Sequence, residues 1–477
     1  MQQQSKQFRQ NASEALLDES LKAALGGVQT GFAGNRARVV ALVPEWQRIR
    51  DEAKAVKDHV LEHLDHYLLA YEQQVQLHGG QVHWASTPDA ANDIILNICR
   101  GADARIVTKG KSMVSEETGL NDVLEAADLE VVETDLGEYI LQLAEEGPSH
   151  IIAPAIHKTK EQVSELFHQH HQQYGLTEKI ADRTALVAEA RQVLRNKFLA
   201  ADVGITGANF LIAETGQHVL VTNEGNGDLT SNLPRVQIVL AGLEKVVPTL
   251  EDASCMLRML ARSATGQKFS NYTSFMSGPR REGDVDGPEE FHVVLLDNHR
   301  TAMLGSALRE MLRCIRCGAC MNHCPVYGSV GGHSYGWVYP GPMGSVLTPA
   351  MTGLENSYDL PQACTLNGRC AEVCPMSIPL PALLREHRRE AFEQQMGSAR
   401  MRLGLWLWSS VARSPWWYHK LTAVAARALA FLGRRRGHVN SLPLAGGWTD
   451  SRDMAVPASS TFMQQYAKRL QQQEKQP

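Results

Sequence analysis

Nowhere in this 477-residue sequence is there a run of about 18 apolar residues, the length a membrane-spanning helix needs, so a membrane bundle is excluded. The nearest approach, LTAVAARALAFL from Leu421, ends after twelve residues and contains Arg427. The opening MQQQSKQFRQ has neither an apolar core nor a small-residue cleavage site, which predicts a protein that stays in the cytoplasm. Excess charge is also missing. Lys and Arg number 47 against 52 Asp and Glu, so no basic surplus points to a nucleic-acid partner. No GxGxxG follows a predicted strand and there is no P-loop, which removes the usual fingerprint of a tightly bound flavin or dinucleotide. Cysteine is scarce at nine residues, yet seven of the nine fall between Cys314 and Cys374. In a reducing compartment such clustering signals a metal site and not a disulfide framework.

With 43% hydrophobic and 21% charged residues the composition is that of a globular protein, neither disordered nor collagen-like. At about 150 residues per domain the length suggests two to four folded units. Residues 1–78 predict an N-terminal helical region, with apolar residues at helical spacing in VKDHVLEHLDHYLLAYEQQV. Over 79–300 short apolar runs alternate with helical stretches: RIVTK, a helix near 114–127, LEVVET, a helix near 138–144, HIIAP, and later FLIAETGQHVLVTNEG, VQIVLAG and FHVVLLD. That alternation predicts an α/β domain, with the helical stretch between Thr159 and Leu199 inserted or layered on it. Residues 301–395 read as helix, cysteine loop, irregular segment, second cysteine loop and helix.

Residues 396–477 differ in composition. Gln394 to Thr449 holds eight Lys or Arg and no acidic residue, together with five of the eight Trp, four of them at Trp406, Trp408, Trp416 and Trp417. This predicts an interaction surface. One reading is peripheral contact with an anionic membrane, Trp at headgroup level and Arg434 to Arg436 on lipid phosphate. Packing on a partner subunit or on the protein's own core is the other.

The first cysteine loop, CIRCGACMNHCP, places Cys314, Cys317, Cys320 and Cys324 at x2, x2, x3 spacing before Pro325, the bacterial ferredoxin run for a [4Fe-4S] cluster. Three thiolates at two-residue intervals on a turning backbone reach different irons of one small cube, and the fourth points to a neighbouring cluster. The second loop, ACTLNGRCAEVCP, repeats the frame with Cys364, Cys370 and Cys374 but has Asn367 where a cysteine would stand. A zinc site would need four tetrahedral ligands and no repeated proline-terminated frame. Cross-ligation predicts Cys314, Cys317, Cys320 and Cys374 on one [4Fe-4S] cluster. Cys324, Cys364 and Cys370 take the second, of [4Fe-4S] or [3Fe-4S] type because of Asn367. Cys99 and Cys255, in apolar contexts, read as structural thiols.

Other motifs have plain structural readings. GITGAN from Gly204 and EGNG from Glu224 could hold a ligand phosphate but read as tight turns beside strands. KGKSMVSEE reads as a helix start, with Ser115 as cap and Glu116 and Glu117 matching the helix dipole. His157 with Lys158, and His333, could make polar contacts near a redox site, but each histidine reads as a hydrogen-bonded structural one. Glu214 in IAETG reads as a solvated or capping residue, or as the carboxylate of a pocket.

Taken in order, KSMVSEETGLN, VVETDLGEYI, PSHIIAPAIHK, ADVGITGANFLIAETG, TNEGN, RSATGQ, YTSFMSGPRR, DGPEEFHVVLLDN, CIRCGACMNHCPVY, GGHSYGWVYPGPMG and LPLAGGWTDSRDMAVPA closely resemble the lactate utilisation protein B (LutB) family. The resemblance implies a LUD domain of the NagB/RpiA/CoA-transferase-like α/β fold followed by an α-helical two-cluster ferredoxin-type domain. It further implies a role in oxidising L-lactate to pyruvate alongside LutA-like and LutC-like partners. The expected function is electron transfer from lactate oxidation through the clusters to an acceptor such as a quinone. The rivals are a self-contained enzyme whose LUD pocket takes a nucleotide-like or acyl substrate, with Glu214 active, and a redox-sensing scaffold.

Overall fold

The computed structural model of the protein describes residues 3–442, 446–449 and 452–473. Residues 443–445, 450–451 and 474–477 of the expected tail, including part of LPLAGGWTDSRDMAVPA, lie outside the described residues. The chain divides into two compact units, Met1–Gln394 and Gln395–Pro477.

The first unit contains strands β1 Gln81–Ala85, β2 Ile106–Lys109, β3 Glu130–Glu133, β4 Val203–Thr206 and β5 Phe210–Ile212. They are followed by β6 His218–Thr222, β7 Val236–Gly242, β8 Val246–Val247, β9 Tyr272–Met276 and β10 Glu290–Leu296. Six of them form an all-parallel sheet in the order β1-β10-β7-β4-β2-β3, and the rest a smaller mixed sheet β8-β5-β6-β9. β7, VQIVLAG, is buried along its whole length, as a central parallel strand covered on both faces must be.

The period of two sorts its residues between two cores. Val236, Ile238 and Leu240 meet Ala91, Ile95 and Cys99 of the helix Pro88–Gly101. Val239 and Ala241 meet Leu68, Tyr71 and Val75 of the helix Leu64–Leu77. Each fully buried Val, Leu, Ile or Phe stabilises this packing by about 1.5–3 kcal/mol. The N-terminal helices divide their apolar faces: Leu64–Leu77 covers the sheet, while Phe8, Leu25 and Val28 join Tyr327, Val330 and Tyr335 of the cysteine-bearing segment.

Several local expectations need correction. HIIAP is no strand: residues 149–156 carry only bends and turns. Its backbone is satisfied by a buried imidazole, for His150 Nδ1 accepts from the N–H of Ile152 (3.0 Å) and Ala153 (3.1 Å). His150 Nε2, which therefore carries the proton, donates to Asn322 Oδ1 at 2.9 Å. The helix expected over 114–127 is two, Met113–Thr118 and Leu120–Glu125, broken at Gly119, whose φ of +65° ends the first. Ser112, not Ser115, is its cap, accepting from the N–H of Ser115. The expected irregular segment contains the helix Gly341–Thr352, held almost wholly inside the core.

The second unit contains the helices Ala399–Ala412, Pro415–Gly433 and Phe462–Gln473. None of the first helix's residues is buried, and Trp406, Trp408, Trp416 and Trp417 are all more than half exposed. No helix among the described residues is long and apolar enough to cross a membrane.

Candidate metal centre and adjoining crevice

The two cysteine loops share a backbone. Arg316 and Leu366, two residues after Cys314 and Cys364, have φ of +58° and +55°, and the following Gly318 and Gly368 have +72° and +85°. This left-handed pair turns each loop so that an amide faces the sulfur behind it. Arg316 N–H lies 3.4 Å from Cys314 Sγ and Leu366 N–H 3.3 Å from Cys364 Sγ. Tyr327 N–H approaches Cys324 Sγ at 3.5 Å. Amides so aimed stabilise negative charge on sulfur.

Cys314, Cys317, Cys320 and Cys374 line one small cavity, with Ile315, Met343, Met376 and Ile378 among its apolar walls. Among the described residues neither histidine nor carboxylate lines it. Burial and the neighbouring sulfurs push the Cys317 and Cys320 thiols well up, and burial pushes Cys374 to about 11. Cys324, Cys364 and Cys370 form a second group. Burial raises Cys370 to about 12, with Cys364 and Cys324 adding to it, and raises Cys324 beside Cys364. Four thiols in a dry pocket are the donor set an iron–sulfur cluster requires.

Asn367 is exposed, and its Oδ1 accepts from the N–H of Arg369 at 3.0 Å. Cys99 is fully buried in the sheet core, its thiol raised by burial to about 12. Cys255 is half-buried, its Sγ donating to Ile49 O at 3.8 Å, and burial raises it to about 11. Neither lines the cysteine cavity.

The loop is braced by cations. Arg50 Nη2 donates to Cys374 O and Arg36 Nη2 to Val373 O, both at 2.8 Å. Arg316 lies over the Tyr339 ring at 4.8 Å and donates to Glu244 Oε1 at 3.1 Å. Glu244 also receives Arg300 Nε at 2.6 Å. Arg300 in turn grips both oxygens of Glu117, at 2.9 and 3.0 Å. Glu117 is completed by Asn298 Nδ2 at 2.7 Å and Tyr339 OH at 2.6 Å. Burial alone would raise Glu244, yet Arg300, Arg316 and Lys245 hold it down at about 2. Glu117 is thus no dipole-matching surface residue. Sequence reasoning missed this network, whose one legible sign was an arginine between two cysteines.

Beside the cysteine cavity lies a crevice of about 500 Å³. It opens where the chain leaves the carboxyl ends of β2, β3 and β4, through Lys111, Asp135 and Gly207. The chain runs from β2 outward to β3 but from β4 the other way to β7, so this is the switch point at which open α/β sheets bind ligands. Lys111 Nζ sits 3.3 Å from Asp135 Oδ2 and donates to Ile152 O at 3.0 Å. Burial and then Asp135 raise the Glu224 carboxyl, which accepts from Leu136 N–H at 3.2 Å. Ile151 and Arg316 line both the crevice and the cysteine cavity. GITGAN and EGNG supply the crevice residues Gly207, Asn209, Glu224 and Asn226. Glu214 does not line it. That exposed residue accepts from Leu250 N–H at 3.3 Å at the start of the helix Leu250–Ala264, so as a pocket carboxylate it is corrected to a helix-end contact. His157 Nε2 meets Glu146 Oε2 at 2.8 Å, and His333 Nε2 donates to Gly147 O at 2.8 Å.

Residues 70–296 match the LUD domain and residues 310–378 the 4Fe-4S dicluster domain. Lactate utilization protein B of an Exiguobacterium species is 43% identical over 463 residues, 97% of each chain. The chain belongs to the lactate utilization protein B family. Its Geobacillus thermodenitrificans member is 43% identical over 459 residues, 95% of each chain. The Uncharacterized electron transport protein YkgF of Escherichia coli is 39% identical over 473 residues, 98% of each. Membership places a LUD domain, built on the parallel sheet, before a ferredoxin-type iron–sulfur domain, in a protein of lactate utilization and electron transport.

Proposed function

We propose that the chain is the electron-transfer subunit of a multi-component L-lactate oxidation system, acting in the cytoplasm with LutA-like and LutC-like subunits and delivering electrons to a quinone-class acceptor. The observation that carries this reading is the wall of Ile151 and Arg316 common to the switch-point crevice and the four-cysteine cavity. Under it, Cys314, Cys317, Cys320 and Cys374 hold one [4Fe-4S] cluster, and Cys324, Cys364 and Cys370 hold the second, of [4Fe-4S] or [3Fe-4S] type. Such clusters supply one-electron storage. Arg316, Lys57 and Lys245 set positive charge against Cys314, offsetting the thiolate charge that burial would otherwise penalise. The apolar walls keep water from the sulfurs, and the crevice receives a small reactant beside them.

The test is anaerobic purification of the cluster-replete chain, mixed with L-lactate with and without both partner subunits. Visible bleaching of the clusters is expected only with the partners. Bleaching by lactate in the isolated chain, or none with both partners, would refute the proposal. The tail favours a peripheral membrane contact as well: exposed Trp416 and Trp417 adjoin Lys420, whose ammonium lies 4.7 Å over the Trp416 ring, in a segment without acidic residues.

A further inference from the structure

We propose that the protein binds one hard divalent cation, of the Mg²⁺, Mn²⁺ or Ca²⁺ class, in an acidic pocket beneath the helix Leu136–Leu143. This pocket of about 550 Å³ is separate from the crevice and is lined by Glu116, Asn121, Glu133 and Glu138.

At its foot Lys109 is fully buried. Its ammonium donates to Ser115 Oγ at 2.9 Å and Glu116 Oε1 at 2.8 Å and is ion-paired with Glu133 Oε1 at 2.8 Å. None of these partners is Glu138. It is 4% exposed, and neither of its carboxylate oxygens has a hydrogen-bond partner. Glu133 Oε2 and Asn121 Oδ1 are buried and unpartnered too. The amide of Asn121 is oriented by its Nδ2, which donates to Glu133 Oε1 at 2.8 Å. Four buried acceptor oxygens on residues that line this one pocket therefore have no donor.

Charge tells the same story. Three carboxylates against one ammonium leave two negative charges in a buried site, which is costly without compensation. A proton on Glu138, whose carboxyl burial and then Glu133 push well above its ordinary range, removes one charge. It supplies one donor for several acceptors. A divalent cation would neutralise both charges and give these oxygens the partner they lack. An all-oxygen set selects hard cations over zinc or copper.

The site is also placed to matter. Glu138 shares its helix with Leu136, Gly137 and Ile140, which line the switch-point crevice, so a cation on Glu138 and Glu133 ties that wall to β3.

The test uses the full-length, cluster-replete protein under anaerobic conditions, titrated calorimetrically with Mg²⁺, Mn²⁺ and Ca²⁺. One saturable site is expected, weakened at least tenfold by Glu138→Gln and by Glu133→Gln and less than threefold by Glu145→Gln at the rim. His157→Ala, which alters the nearby Glu146, His157 and His333 cluster, should leave binding unchanged. If a pocket variant does not fold, the wild type decides: its thermal midpoint should rise with cation concentration and return on chelation. Absence of saturable binding by all three ions overturns the proposal, as does binding indifferent to Glu138→Gln or abolished by His157→Ala. An infrared band of a protonated carboxyl that Glu138→Gln removes, with no cation bound, would assign the site to a proton instead.

Discussion

Replacing Glu117 by Gln keeps the volume of a fully buried side chain and removes only its charge, which isolates the electrostatic role of the network behind Cys314. Each Glu117 oxygen accepts two hydrogen bonds, from Asn298 and Arg300 on one side and from Arg300 and Tyr339 on the other. A glutamine must turn its NH₂ toward one of those pairs of donors, and Arg300 keeps only Glu244 as counter-charge. Breaking a buried pair in this way costs about 3–5 kcal/mol. Unfolding entropy of about 2.1 cal/mol/K per residue, taken over the 394 residues of the first unit, is about 0.8 kcal/mol/K. The expected fall in thermal midpoint is therefore about 4–6 °C, read by anaerobic scanning at one fixed rate. The double variant Glu117→Leu with Arg300→Met removes the charges together and should lose less than either single change, since buried pairs replaced by apolar groups come close to neutral. A drop below about 1 °C for Glu117→Gln, or a double variant that sums the two singles, would refute the reasoning.

Three further outcomes are expected. Mild ferricyanide treatment should produce a three-iron EPR signal from the Cys324, Cys364 and Cys370 site only, because a three-thiol set with an oxygen donor holds iron less firmly; Asn367→Cys should abolish it, and an unchanged signal would exclude a role for this position. His218, buried and stacked on Phe291 at 5.5 Å, is lowered by burial to about 4. The unfolded chain then binds the extra proton between about pH 6.5 and 4, so stability falls as pH falls through that window by about 3 kcal/mol in all, and His218→Gln should flatten that slope in midpoint-against-pH curves. Truncation before Leu403 should leave the cluster absorbance intact and lower cosedimentation with anionic vesicles at least fivefold; equal sedimentation of both forms would rule out the tail as a membrane contact.

The alternation over the α/β region was legible because a parallel strand buried on both faces must be written as a continuous apolar run, as VQIVLAG and FHVVLLD are. The ferredoxin frame was legible because ligands of one small cluster have to lie within a few residues of one turning backbone. Both are local demands, carried by spacing. HIIAP defeated the same reasoning, since an apolar run becomes a strand only where a ladder neighbour waits, and here His150 supplied the hydrogen bonds instead. Ser112 rather than Ser115 capped its helix because one residue of register decides which hydroxyl meets the free amides. Only the tertiary structure decided that Glu117, Glu244, Arg300, Arg316 and Tyr339, from segments up to 222 positions apart, would neutralise one another beside Cys314. It alone set a crevice against the cysteine cavity through Ile151 and Arg316. Periodicity reports which face of an element is buried; which charges meet there depends on how distant elements cross, and no local spacing records that.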